Sequence, residues 1–313
     1  MYKEADLNKI KTISINDRKS KVTPADFAGI FKKGGSFNDF LDSLPNILKA
    51  EDIKDVASSV INAKKMNQPV FWMMGAHVIK CGLSPIVIDL MEKGLISTVS
   101  MNGAGAIHDL ELACFGHTSE DVAENLLNGS FGMSKETAET LNGALEMGRE
   151  DGLGFGESLG RRLSVDDVPD RNTSIFAAGY RLQIPVTVHV GIGTEIVHQH
   201  PSSDGSTIGE LSMRDFRILA DRLCSLSEGG VVMNVGSAVI LPEVFLKALT
   251  VARNLGSPAA GFTSVNFDMI QHYRPTQNVV SRPTLGGGKG YQITGHHEIM
   301  IPLLAAAVNE SLQ

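Results

Sequence analysis

Apolar residues along this chain fall into two alternating patterns. Short uninterrupted runs at residues 70–74, 96–101, 185–190, 230–235 and 261–267, with a shorter one at 291–294, read as strands covered on both faces. Between them stand longer stretches with apolar residues every three or four positions. The pattern predicts helices from Ser84-Pro85 to Gly94, over 118–127 behind a Thr118 cap, over 134–150, 212–226 and 242–255, and from Glu298 onward. Residues 151–172 combine glycine and charge without a sustained period, which predicts a mobile loop or a boundary. The strand signals on either side favour one continuous domain.

Residues 1–67 carry helix signals only. Thr23-Pro24 reads as a cap with proline at the first helical position, and residues 51–65 place Ile53, Val56, Val60 and Ile61 near a 3.6-residue period. The expectation is an N-terminal helical segment packed on a main α/β domain at 68–313. Strands alternating with helices specify the fold class: a doubly wound, mostly parallel, Rossmann-like sheet with an N-terminal helical extension.

The chain has 313 residues, ample for a core, and 42% hydrophobic and 20% charged content, as in ordinary globular proteins. Its net charge of −7 offers no basic face for nucleic acid and weakly favours cationic ligands. Cys81, Cys114 and Cys224 are widely separated, which suits buried thiols in a reducing compartment. The polar N-terminus lacks the form of a signal peptide, and the longest apolar run, 299–308, is far short of the ~20 residues of a membrane span. A cytoplasmic location without membrane association is expected.

In a parallel sheet the loops after each strand meet at one edge, where ligands bind. That rule gathers Gly75-Ala76-His77, then Asn102-Gly103-Ala104-Gly105 with His108 and Asp109, then Gly191 to Glu195, Gly236-Ser237 and Gly295-His296-His297-Glu298. The stretch TVSMNGAGAIHDLE runs from strand through small residues into a helix, the order of a phosphate cradle, although it is not G-x-G-x-x-G. A nucleotide-like ligand is expected.

Histidines concentrate in the same loops. His198 and His200, read as extended, would share a side, and with His189, His296, His297 or Glu298 could hold zinc or iron. The other reading is hydrogen bonding or acid–base work near neutral pH. The GGGKG run at 286–290 lacks Walker spacing and reads as a flexible connection with an exposed Lys289, or as a loop bringing an amine to the site. Asp204 and Glu210 read as a turn and helix cap, or as carboxylates facing a cationic substrate.

The segments VFWMMGAHVIKCGL, ISTVSMNGAGAIHDLE, SDGSTIGE, GGVVMNVGSAVI and HHEIMIPLLAA together resemble the deoxyhypusine synthase family over most of residues 65–310. That resemblance implies a parallel α/β sheet, a homotetramer, NAD near subunit interfaces, and aminoalkyl transfer from a polyamine such as spermidine. It implies cofactor contacts at Gly75, Ala76 and His77, at Asn102, Gly103, Ala104 and Gly105, at Gly236 and Ser237, at Thr263 and Ser264, and at Gly295 and His296. His108 and Asp109 fall where the family places acidic residues beside the nicotinamide, and Glu195, His200, Asp204 and Glu210 are substrate-side candidates. The family's Trp-Gly-Lys context is matched only by Arg282-Pro283-Thr284, with Lys289 as a substitute, and its catalytic histidine is replaced near Ile240. The expectation is therefore NAD-dependent chemistry on a small amine rather than on a protein lysine. A metal-dependent hydrolase or a non-catalytic NAD or polyamine binder are the alternatives.

Overall fold

A computed structural model describes residues 2–165 and 167–312; Met1, Asp166 and Gln313, at the ends of the expected segments and within the expected loop, lie outside the described residues. In chain order the elements are α1 (Phe37–Ser43), α2 (Leu48–Lys65), β1 (Val70–Met74), α3 (His77–Lys80), α4 (Ser84–Glu92), β2 (Thr98–Asn102) and α5 (Gly103–Phe115). There follow α6 (Val122–Asn128), α7 (Lys135–Glu150), α8 (Phe155–Leu163), α9 (Ile175–Leu182), β3 (Val186–His189) and α10 (Gly205–Leu223). The last third holds β4 (Val231–Val235), α11 (Ile240–Asn254), β5 (Thr263–Asp268), the one-turn α12 (Tyr273–Pro275), β6 (Lys289–Thr294) and α13 (His297–Glu310).

All six strands pair in parallel in one sheet of order β3-β2-β1-β4-β5-β6. This is the Rossmann order, in which the direction of winding reverses between β1 and β4. The reversal is visible in the packing. Val70, Trp72 and Met74 of β1 join Val87, Leu90 and Met91 of α4 in one core, whereas Phe71 and Met73 join Leu241, Phe245 and Leu249 of α11 in a second core on the other face. Helices thus cover both faces, as the unbroken apolar strands demand.

The N-terminal segment divides in two. Leu41 of α1 and Ile53, Val56, Val60 and Ile61 of α2 enter the first core, as the 3.6 period implied. Among the described residues upstream of α1 no α-helix forms: the Thr23-Pro24 cap opens only a single 3-10 turn, Pro24–Asp26.

Three expectations are corrected. The stretch at 151–172 is not simply a loop, because Phe155, Leu159 and Leu163 recur every four residues as the buried stripe of α8. Its glycines are packing positions: a Cβ on Gly156 would fall 1.7 Å from the Val186 carbonyl oxygen. The helix expected from Thr118 starts at Val122 behind an Asp121 cap, since Thr118 turns its hydroxyl to Glu111 instead. The helix expected from Ser212 starts a full two turns earlier, where Asp204 accepts the amides of Ser206 and Thr207 at 3.1 Å each.

Two buried carboxylates fasten α8 and α9. Asp215 of α10 accepts the N–H of Gly156 at 2.9 Å and of Val188 at 2.7 Å, joining α8 to the edge strand β3. Asp109 of α5 accepts the Ser174 hydroxyl at 2.5 Å and the Ile175 amide at 2.8 Å at the start of α9. Burial outweighs these donors and raises Asp215 to about 7 and Asp109 to about 6. A carboxyl raised in the fold stabilises it fully below the unfolded pKa and loses that contribution as pH rises through the folded value. Between about pH 4 and 7 the melting temperature should therefore carry a downward component, on the order of a few degrees, that Asp215→Asn removes. Calorimetry of the two proteins across that range reads the difference, and parallel profiles would contradict it.

Candidate functional site

The reversal between β1 and β4 opens a crevice at the carboxyl edge of the sheet. β1 ends at Gly75, and a Cβ there would lie 2.3 Å from the Gly236 carbonyl oxygen at the end of β4, so no larger residue fits. Gly236 has φ +69°, and the ring of His297 lies directly over it, 2.5 Å from the place of a Cβ. His297 is 1% exposed and its Nδ1 has no hydrogen-bond partner among the described residues. Its ring centroid is 6.0 Å from that of His77, and burial holds it below the ordinary histidine range.

Behind these turns runs a ladder of buried amides. Asn234 donates to the Ser237 carbonyl at 2.9 Å and to Asn266 at 2.7 Å, and Asn266 donates to Gln271 at 2.7 Å. The Asn234 Oδ1 is left without a hydrogen-bond partner among the described residues. Buried polar atoms without partners are uncommon, and two of them flank this crevice.

The turn after β2 behaves differently from its expected role. Asn102 caps α5 by accepting the Gly105 N–H at 3.1 Å. The Glu195 carboxylate lies over Gly103, whose absent Cβ leaves room for it: a Cβ would meet the Glu195 carboxyl carbon at 2.6 Å. Glu195 also accepts the Thr194 hydroxyl at 2.9 Å and approaches His198 Nδ1 to 3.4 Å. A helix N-terminus favours an anion, and here the chain supplies its own. The expected phosphate cradle at Asn102–Gly105 is thus filled by Glu195, while burial raises that carboxyl above its usual range.

Beside this plug lies a cleft of about 650 Å³. Ile107, Phe115, Val122, Phe131 and Ile196 form its apolar wall, and Glu111, Glu120, Glu136 and Glu195 give it a negative lining against Lys80. His108 stands on α5 facing this space, with Nδ1 at 2.6 Å from the Thr118 hydroxyl. Thr118 donates its proton to Glu111, which also accepts from Thr137 at 2.8 Å. A threonine hydroxyl has one proton, so with Glu111 accepting it, Thr118 must accept from His108. That assigns the proton to Nδ1 and leaves the lone pair on Nε2. Burial lowers the His108 pKa, so the ring is neutral near pH 7 and able to take a proton.

The sequence-derived residues divide by location. Gly75, Ala76, His77, Asn102–Gly105, Gly236, Ser237, Gly295 and His296 share the carboxyl edge, and His108 and Glu195 share the cleft. Thr263, Ser264 and Lys289 do not join them: Thr263 pairs in register with Lys289 at the amino ends of β5 and β6, the opposite edge. Lys289 opens β6 rather than sitting in a loose connection. Asp109 does not hold His108, because adjacent helical residues face apart and Asp109 is committed to α9. Asp204 and Glu210 pair with Arg149 at 3.5 and 2.9 Å, away from the cleft lining, and His200 pairs with Ser202 at 2.8 Å.

The metal reading fails among the described residues, where no group of three His, Cys, Asp or Glu could hold an ion. His198 lies in a 3-10 turn and accepts the Gly193 amide, so the extended geometry that would align it with His200 is absent. His189 pairs with Thr187 at 3.0 Å and burial pushes it down to about 3.

Sequence reading missed Glu111, Thr118 and Thr137. The i, i+3 spacing of His108 and Glu111 on one helix face was the available signal, obscured by the adjacent His-Asp pair.

No family model matches the chain, and no curated protein matches it by sequence. Solved structures share its fold at low identity. A protein from Entamoeba histolytica, provisionally assigned as a deoxyhypusine synthase, superposes with a TM-score of 0.56 at 12% identity, over 91% of this chain and 96% of its own. A provisionally assigned LOR/SDH protein from Methanococcus maripaludis S2 gives 0.52 at 16% identity, over 84% of this chain and 70% of its own. AgrE, solved as a ternary complex with ornithine and NAD+, gives 0.54 at 13% identity over 83% of this chain, which spans 33% of that protein.

Proton NMR should find the His108 ring titrating below 6.5. Glu111→Gln should lower it further, because Glu111 is the neighbour whose charge holds it up. An upward shift would refute the assigned relay.

Proposed function

We propose that the chain is an NAD-dependent enzyme acting on a small amine, with amine oxidation and aminoalkyl transfer, or a closely related amine conversion, as its reaction. The observation that carries the reading is the pairing of a neutral, Nδ1-protonated His108 with a negatively lined, apolar-walled cleft at the start of α5. Its size lies within the usual range of small-molecule pockets.

The fit to a dinucleotide can be tested residue by residue. Gly75, Gly236 and Ser237 line the strand ends at the reversal, and the unpartnered His297 Nδ1 and Asn234 Oδ1 are polar atoms in want of partners there. These would hold the cofactor, whereas the N-terminus of α5, carrying Glu195, would not. When bound, the nicotinamide supplies a hydride acceptor for the carbon that bears the amine. A fold shared with AgrE, whose structure holds ornithine and NAD+, and with a provisional deoxyhypusine synthase supports the same pairing of cofactor and substrate class.

The protein's own part is acid–base and electrostatic. An alkylammonium must lose a proton before its carbon can release hydride, and His108 Nε2 is the group placed to take it. Thr118 and Glu111 then stabilise the imidazolium, as Glu111 gains an opposite charge through the hydroxyl. Glu195 and Glu136 attract the cation, while Ile107, Phe131 and Ile196 receive its methylenes and exclude water. Lys289, on the far edge, takes no part in this chemistry, and Lys80 is the lysine that lines the cleft.

NAD at 100 times its Kd should stabilise the protein by ~2.7 kcal/mol, read as a rise in melting temperature. With a primary alkylamine deuterated beside nitrogen, label should appear in the reduced cofactor. His108→Ala should lower turnover by about 10²- to 10⁴-fold with NAD binding retained. Absence of any NAD-dependent shift would refute the proposal.

A further inference from the structure

One wall of the cleft has nothing packed behind it. Residues 119–131, which include α6, supply Glu120, Val122 and Phe131 to the lining, yet none of the thirteen is buried. Among the described residues, the hydrogen bonds that 119–131 make all end within 119–133. Asp121 caps α6 by accepting the Glu124 amide at 3.0 Å, and Glu120 accepts the Asn125 side chain at 2.7 Å and the Gly132 amide at 2.9 Å. The segment therefore holds its shape by its own contacts.

It is fastened only at its two ends. Just before it, Thr118 is held by His108 and Glu111. Just after it, Gly132 is buried, and a Cβ there would meet the Ile196 Cβ at 2.6 Å. The backbone is left-handed at both junctions, with φ +70° at Ser119 and +76° at Gly132. At a residue that carries a Cβ this conformation is imposed by the surroundings, so Ser119 is a natural place for the chain to turn. A self-contained unit between two fixed points is the geometry of a hinged lid.

Charge decides which position such a unit takes. Residues 119–131 carry Glu120, Asp121 and Glu124 with no Lys or Arg, a net of −3. Across the cleft stand Glu111, Glu136 and Glu195 against Lys80 alone. Like charges closer than a Debye length, about 10 Å at 0.1 M salt, repel, and an empty cleft is thereby held open. Shape favours the opposite. Leu126 lies four residues after Val122 on the same face of α6 and is 66% exposed, so an inward turn adds it to the wall that Val122 already joins.

We propose that residues 119–131 form a lid closed by the charge of the ligand. An ammonium group in the cleft offsets the carboxylates around it, and the unit swings inward about Ser119 and Gly132 until Leu126 is buried beside Val122. The inference rests on the reading of this cleft as an amine site. Closure keeps water from the carbon that gives up hydride, while Thr118 stays on His108.

Hydrogen–deuterium exchange of the full chain with butylammonium chloride, against butanol and sodium chloride at equal concentration, tests the lid. Proton NMR of His108 in the same samples reports whether the cleft is occupied. Butylammonium should shift the His108 resonances and slow exchange across 119–131 by about tenfold, and neither control should slow it. Leu126→Glu should keep the His108 shift and lose the slowing, with an unchanged circular dichroism spectrum because Leu126 is exposed. Asp121→Asn with Glu124→Gln, which leaves a capping side chain at 121, should exchange slowly with no ligand present. A His108 shift without slowing would overturn the lid and leave the amine reading standing. Equal slowing by butanol, slowing retained in Leu126→Glu, or a neutralised lid that exchanges as fast as the wild type would each overturn the lid as well. No His108 shift at all would overturn both.

Discussion

Two strand ends meet at the centre of this molecule with no room for a side chain between them. Gly75 closes β1 against the carbonyl of Gly236, which closes β4, and from this point the chain departs toward opposite faces of the sheet. The contact fixes the reversal of winding, and the reversal fixes where a crevice can exist. Every candidate residue inherits its place from it: His77 and Ser237 on the two departing turns, His297 above Gly236, and His108 one strand away on α5.

The sheet edge is not uniformly open. At β2 the helix N-terminus that would attract a phosphate is already neutralised by Glu195, and that same carboxylate forms part of the cleft wall. The seat at the start of α5 and the negatively lined cleft thus share one carboxylate, and the strand ends at the β1–β4 reversal lie outside that cleft's lining. The relay from His108 through Thr118 to Glu111 sits on the cleft side. It resembles the logic of catalytic histidines elsewhere: one ring nitrogen is held so that the other is free. The hydroxyl intermediary lets the carboxylate come from the same helix face three residues on.

The fold was legible because its signals are local. Six apolar runs became six strands within two residues at each end, since a strand buried on both faces has no polar positions to blur it. What escaped was set by tertiary contact. Gly156 and Gly160 read as loop residues, but they are the places where α8 approaches β3 and α9. Asp109 read as a partner for His108, and only the packing of α9 shows why a buried carboxylate is needed there. Thr118 read as a helix cap because its chemistry suits one, while its hydroxyl was taken by Glu111, seven residues earlier. Lys289 read as a loop residue because the apolar signal of β6 starts only at Tyr291, and Thr263 entered through the family resemblance although its place at the start of an apolar run puts it at the amino edge.

The central claim is that a dinucleotide enters at the β1–β4 crevice and not at the plugged turn after β2. Hydrogen–deuterium exchange with and without NAD tests it most directly. The account predicts slowed exchange in the segments that begin at Gly75 and at Gly236, with the amides of Gly103 and Gly105 unchanged because Glu195 and Asn102 already hold them. Protection confined to residues 102–106, with residues 75–78 and 236–240 unaffected, would contradict it.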